Sequence, residues 1–329
     1  MCIRDRFKGT FYWDEFMERP MVCGDLPWRK ADAKPRSWDD TDDAGVHNVL
    51  EKDYKIDSMP KTREGVDLAL ADVTRHPVRE YLRSLIWDGE KRCETLFIDY
   101  LGAEDSRYTR TVTRKALIGA AARILSPGCK HDHMLVLIGP QGCRKSTTLK
   151  KLGKEWFSDS LYTMSGKDAY EQLQGFWIIE LSEMAATRKA EVEQIKQFVS
   201  KQEDNYRAAY ARRTQCHPRQ CAFFGTTNDE EFLRDPTGAR RFWPVVVTDA
   251  GKTLGDKLTA SIVDQIWAEA VTYYEAGETW YLDGAVEEMA RKVQADHTEA
   301  NGKLGLIENF LEVCLLYTSP SPRDRTRSR

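Results

Sequence analysis

A chain of 329 residues, 41% hydrophobic and 31% charged, reads as a soluble globular protein of about two domains and not as a disordered one. Its 49 Lys and Arg against 52 Asp and Glu leave a net charge of -3, which excludes a globally basic nucleic-acid coat but not a local basic patch. The apolar run Met134–Ile138 is far short of the roughly 20 residues a membrane helix needs. No signal-peptide pattern opens the chain, and eight scattered cysteines favour a reducing compartment over a disulfide framework.

Both ends carry a foreign signature. Met1 to Arg6 can be encoded by ATGTGTATAAGAGACAG plus one base. The reverse complement of that string, in its second frame, encodes Cys314-Leu315-Leu316-Tyr317-Thr318. One inverted DNA element accounts for both termini, and it resembles the transposase-end adapter of sequencing libraries. The natural segment is therefore expected to run from about Phe7 to Val313, with the Pro/Ser-rich, basic stretch Ser319 to Arg329 disordered.

Residues 7–75 are rich in Trp, Asp and Pro with weak periodicity, which predicts short helices and loops. Pro77 opens a helical stretch with Tyr81, Leu82, Leu85 and Ile86 on one face, and residues 112–125 repeat apolar side chains at helical spacing until Pro127-Gly128. The pattern then changes. Met134–Ile138, Phe176–Ile179, Cys221–Phe224 and Val245–Val247 are short apolar runs that suit buried strands. A helix with Val192, Ile195, Phe198 and Val199 inward lies between the second and third, and a last long helix spans about 258–276. Strands alternating with helices predict an α/β fold: a parallel sheet with helical cover, preceded by a mainly helical segment. The expected organisation is a helical region over 7–130, a core over 131–250 and a helical region over 251–313, with 1–6 and 314–329 adapter-derived.

Gly139-Pro140-Gln141-Gly142-Cys143-Arg144-Lys145-Ser146 sits between a strand and a helix, where the phosphate-loop pattern G-x-x-x-x-G-K-[ST] belongs. Such a loop converges backbone N–H groups on an anion at a helix N-terminus. Gly139, Gln141, Gly142, Cys143, Arg144, Lys145, Ser146 and Thr147 are the expected nucleotide-binding residues, with Lys145 on the outer phosphates and Ser146 on Mg²⁺. Arg144 replaces the second glycine; its side chain would either crowd the phosphates or add a cation to them. The strand Trp177–Glu180 ends in two carboxylates, Glu180 and Glu183, one to hold Mg²⁺ and one to orient water. The third strand ends in Gly225-Thr226-Thr227-Asn228, whose amide is placed to sense the γ-phosphate. Arg240 and Arg241 precede the fourth strand, either as transition-state arginines or as a surface pair. Basic residues interleave with Tyr206 and Tyr210, so Lys201, Arg207, Tyr210, Arg212 and Arg213 are candidates for nucleic-acid contact, against the reading of a solvated face. Cys129-x-His131-x-His133 and Cys216-His217-x-x-x-Cys221 lack the paired spacing of a zinc site.

Taken in order, these motifs resemble the superfamily 3 helicase group of P-loop (AAA+-like) ATPases, and more closely the virulence-associated protein E family of phages and mobile elements. The resemblance runs from about Phe11 to Leu282, through His76–Leu82, Trp87-Asp88-Gly89, Asp99–Gly102, Pro127–Lys130 and the motifs above. It implies a Mg²⁺-dependent, ATP-driven motor on single-stranded DNA, working as a homo-oligomeric ring, a hexamer among the sizes open, beside a primase and in the cytoplasm of a bacterial host. Arg240 or Arg241 would then complete a neighbour's site. Two alternatives stand beside it: a nucleic-acid-binding module whose ATPase Arg144 has silenced, and a P-loop kinase or transferase.

Overall fold

The computed structural model describes residues 6–182, 189–206, 214–233 and 239–298, the side chains of 189–192 excepted. The N-terminal part is not the run of short helices and loops that its composition suggests. Strands β1 (Phe11–Asp14), β2 (Arg19–Val22) and β3 (Arg36–Ser37) precede helices α1 (Asp40–Tyr54) and α2 (Met59–Ala71), and β4 (Thr74–Arg75) follows. The four strands form one sheet in the order β3-β2-β1-β4. Strands of two to four residues are too short to show period-two alternation, which is why the sequence hides them. Phe7, Phe11, Val22, Val46, Leu50, Val66 and Leu70 give this unit its own core. Buried Asp42 fixes α1: it caps the helix reciprocally with Asp39, accepts from Trp28 Nε1 at 3.0 Å and pairs with both terminal nitrogens of Arg36 at 2.6 and 2.8 Å.

Three helices lead into the core: α3 (Pro77–Ser84), α4 (Leu96–Leu101) and α5 (Arg107–Leu125). Pro77 does open α3, with His76 as its cap, but the helix stops at Ser84, so Leu85 lies beyond it and Ile86 is 84% exposed rather than inward. His76 also ties this junction to the core, its Nε2 lying 2.6 Å from Gln220 Oε1, and its burial lowers its pKa below the usual histidine value.

The core then runs β5 (Met134–Ile138), α6 (Lys145–Gly153), β6 (Phe157–Ser158), α7 (Gly166–Glu171), β7 (Ile178–Leu181), α8 (Lys189–Val199), the hairpin β8 (Glu203–Tyr206) and β9 (Gln215–Pro218), β10 (Ala222–Thr227), β11 (Phe242–Val246), α9 (Gly251–Leu254), α10 (Ala260–Glu275) and α11 (Gly284–Asp296). Five strands form a sheet in the order β11-β5-β10-β7-β6, every neighbouring pair parallel. This is the expected α/β architecture, with β5 as expected, β7, β10 and β11 displaced by a few residues, and β6 and the β8–β9 hairpin additional. The apolar runs are continuous because both faces are buried. Leu135, Leu137, Ile178, Phe224, Trp243 and Val245 face a cluster that includes α5, α6 and α10. Met134, Val136, Ile138, Ile179, Phe223 and Phe242 face Ala169 of α7 and Ile195, Phe198 and Val199 of α8. Val192 falls among the side chains not described.

Two fully buried tryptophans lock the first face. The rings of Trp177 and Trp267 pack at a tilt of 37° with centroids 4.1 Å apart, and their indole N–H groups donate to Ala120 O at 2.8 Å and Leu152 O at 3.0 Å. One side chain thereby joins β7, α5 and α10 while α6 is pinned by its partner. Trp177→Ala is expected to lower the unfolding free energy by about 3–5 kcal/mol through the cavity and the lost indole hydrogen bond. Denaturant unfolding measures this; a loss below about 1 kcal/mol would contradict the packing described.

Candidate functional site

β5 lies between β11 and β10, and the chain leaves its C-terminal end through Gly139–Arg144 into α6. In an open parallel sheet, ligands bind at such strand ends, where neighbouring connections diverge. The loop turns through two left-handed residues, Gly142 at φ 82° and Arg144 at φ 70°. The first suits glycine. The second is the position where the sequence pattern has glycine and this chain has arginine, at a cost of about 1–2 kcal/mol. Among the described residues no side chain caps α6, which leaves its first-turn amides open to an anion.

The loop borders a cleft of about 480 Å³ whose lining includes Gln141 to Thr147, Ser182, Thr226, Thr227, Asn228 and Lys252. Lys145 is 8% exposed. Its ammonium donates to Gly139 O at 2.6 Å, Pro140 O at 2.9 Å and Asn228 Oδ1 at 3.0 Å. Lys145 and Asn228, 83 residues apart, thus meet in one place. Ser146 Oγ donates to Glu180 Oε1 at 2.6 Å, and Thr226 Oγ1 donates to the same oxygen at 2.6 Å. Period two explains the geometry: Glu180 follows Ile178, and Thr226 follows Phe224, on the face that packs against α6. Glu180 is 2% exposed, and its second oxygen, Oε2, is buried with no hydrogen-bond partner among the described residues. Buried acceptors are normally satisfied, so an orphaned carboxylate oxygen beside a serine hydroxyl suits a divalent cation.

Arg144 lines the cleft, but its guanidinium is paired. Its guanidinium runs outward to Asp256, 3.2 Å away. The segment after β11 is clamped onto the loop: an added Cβ on Gly251 would lie 2.4 Å from Cys143 O, and Lys151 Nζ donates to Gly255 O at 2.8 Å and Leu258 O at 2.9 Å.

The other expected residues lie apart from this cleft. Arg240 and Arg241 line a second cavity of about 540 Å³ with Arg291, and Arg241 Nε donates to Ser200 Oγ at 2.8 Å. Lys201 sits at the root of the β8–β9 hairpin with its ammonium on Tyr170, 2.6 Å from the hydroxyl. The hairpin is rooted by Arg219, which is buried and pairs with Asp204 at 2.7 and 3.0 Å. Glu183, Arg207, Tyr210, Arg212 and Arg213 lie outside the described residues, the last four between β8 and β9. Sequence reasoning missed Thr226 as the second donor to Glu180 and Lys252 as the second lysine of the cleft. Thr226 was legible in the Gly225–Asn228 strand end; Lys252 belongs to no motif, and only the topology brings it here.

Gly251→Ala tests the clamp. The added methyl is expected to force the loop and α9 apart and to lower stability by about 1–3 kcal/mol. An unchanged thermal midpoint would show that the two backbones do not meet this closely.

Among the described residues, no helix is long and apolar enough to cross a membrane. A search of curated proteins gave no match. Among solved structures, one of the apo NrS-1 C-terminal region aligns with 13% identity and a TM-score of 0.49 over 95% of this chain and 80% of that one. An A-form apo structure of the same region aligns with 11% identity and the same TM-score and coverage. Likeness at this level carries no functional inference. A family model described as the virulence-associated protein E-like domain matches residues 82–299, which include β5 to β11 and the whole cleft. The chain belongs to the virulence-associated protein E-like family.

Proposed function

We propose that this chain is a Mg²⁺-dependent P-loop ATPase acting on single-stranded DNA in the replication of a phage or mobile genetic element. The observation that carries the reading is the convergence of Lys145, Ser146, Glu180 and Asn228 on one cleft at the ends of parallel strands. Lys145 neutralises phosphate charge, and the amides of the loop and of the first turn of α6 receive the phosphate oxygens. Ser146 and Glu180 are the residues that would hold Mg²⁺, which supplies charge neutralisation on the β- and γ-phosphates. Asn228 orients the γ-phosphate. Hydrolysis cleaves the bond between the γ-phosphorus and the bridging oxygen, with water supplying the new oxygen. Glu180 already accepts from two hydroxyls. Glu183 is therefore assigned to position the water and accept its proton.

The arginines fit the same scheme in trans. Arg240 and Arg241 share no lining with the phosphate cleft of their own chain. They are assigned to a neighbouring protomer's site in a ring, such as a hexamer, where a cation stabilises the transition state. The β8–β9 hairpin, with Arg207, Tyr210, Arg212 and Arg213 between its strands, is assigned to the DNA. A primase is the expected companion, and the cytoplasm of a bacterial host the expected location.

ATP hydrolysis by the full chain, with and without single-stranded DNA, tests this reading. Lys145→Ala is expected to lose at least about 10²-fold in turnover. Arg144→Gly should keep or raise turnover, since the guanidinium points to Asp256. Unchanged turnover in Lys145→Ala would refute the assignment. An inactive parent rescued by Arg144→Gly would instead identify a silenced ATPase.

A further inference from the structure

Among the described residues, Lys145 and Lys252 are the lysines that line the cleft, and Lys145 alone of the two belongs to a recognised motif. Asn228 and Thr227 come from the end of β10, on one side of β5. Lys252 comes from the segment after β11, on the other side. A nucleotide lying across the loop therefore has one end towards Asn228 and Glu180 and the other towards Lys252. The reacting phosphate belongs at the first end, where Lys145, Ser146 and Glu180 converge. The inner phosphates belong nearer the second.

We propose that Lys252 is a nucleotide-binding residue that engages the inner phosphates shared by ATP and ADP. This rests on the ATPase reading above and deepens it. Three observations support it. Lys252 lines the cleft. Its backbone is held there: Gly251 abuts the Cys143 carbonyl, Lys151 fastens Gly255 and Leu258 to α6, and Arg144 pairs with Asp256. Its ammonium is available, because its partner is Asp249, 2.9 Å away, in a pair whose side chains are 52% and 62% exposed. Such pairs contribute little, so exchanging the carboxylate for a phosphate costs little and gains a doubly assisted contact inside the cleft.

The test is titration calorimetry of the full chain with Mg²⁺ and either ADP or a non-hydrolysable ATP analogue. Lys252→Ala is expected to weaken both nucleotides by the same factor, roughly 10-fold for one charge-assisted contact. Lys257→Ala, exposed on the same segment but not lining the cleft, is the control and should bind as the parent does. Equal thermal midpoints for the parent and both variants would show that the effect is local. Parent-like affinities in Lys252→Ala would overturn the role of this lysine and leave the ATPase reading standing. Weakening of the ATP analogue alone would place Lys252 at the terminal phosphate and overturn the inner-phosphate assignment. A parent that binds neither nucleotide would overturn both readings.

Discussion

The hydrogen bond from Ser146 to Glu180 ties the first turn of α6 to β7, and Thr226 ties β10 to the same carboxylate oxygen. Three elements of the core thus meet at one buried acid. The rest of the cleft depends on this point. It fixes where α6 begins, hence where Lys145 leaves the helix, hence which loop carbonyls and which amide its ammonium meets. The cost is a carboxylate oxygen in the interior without a partner among the described residues. A carboxylate buried for packing alone would be expected to find partners for both oxygens. One left without a partner among the described residues, next to a serine hydroxyl, supports the proposed Mg²⁺ role.

The loop itself carries a second cost. Arg144 holds a left-handed conformation that favours glycine. The surrounding contacts determine it: the turn is closed against Gly251, and the Arg144 side chain packs over Gly255 on its way to Asp256. The departure from the phosphate-loop pattern therefore changes how the loop is fastened. The same fastening brings the segment after β11, and Lys252 with it, to the cleft's second wall.

Much of this was legible in the sequence, for definite reasons. β5 is five consecutive apolar residues, all buried, and a strand covered on both faces can only read that way. Lys145, Ser146 and Glu180 were legible because motif spacing encodes local geometry, a strand, a turn and a helix in succession. What the sequence hid depends on long-range pairing. The small N-terminal sheet is built from strands of two to four residues, below the length at which alternation shows. The β8–β9 hairpin read as a charged segment because most of its strand residues are polar, with the buried Arg219–Asp204 pair at its root. Ile86 read as inward because helical spacing continues past Ser84, whereas the helix does not. Lys252 has no local signal at all; its place follows only from β11 lying beside β5.

The hairpin and the paired arginines give the cleft a context. The hairpin is rooted on α8 through Arg219, which also donates to Phe198 O, and α8 leads back towards the end of β7 where Glu180 lies. Its root also touches the N-terminal unit, since His217 pairs with Glu18 at 2.7 Å. All of this rests on the cleft being a Mg²⁺-nucleotide site, and a crystal structure with Mg²⁺ and a non-hydrolysable ATP analogue tests that most directly. The account predicts phosphate oxygens on the amides of the loop, Lys145 turned from the loop carbonyls to the phosphates, and the metal bound to Ser146 Oγ with Glu180 beside it. An analogue seated elsewhere, with Lys145 still on Gly139 and Ser146 still donating to Glu180, would contradict it.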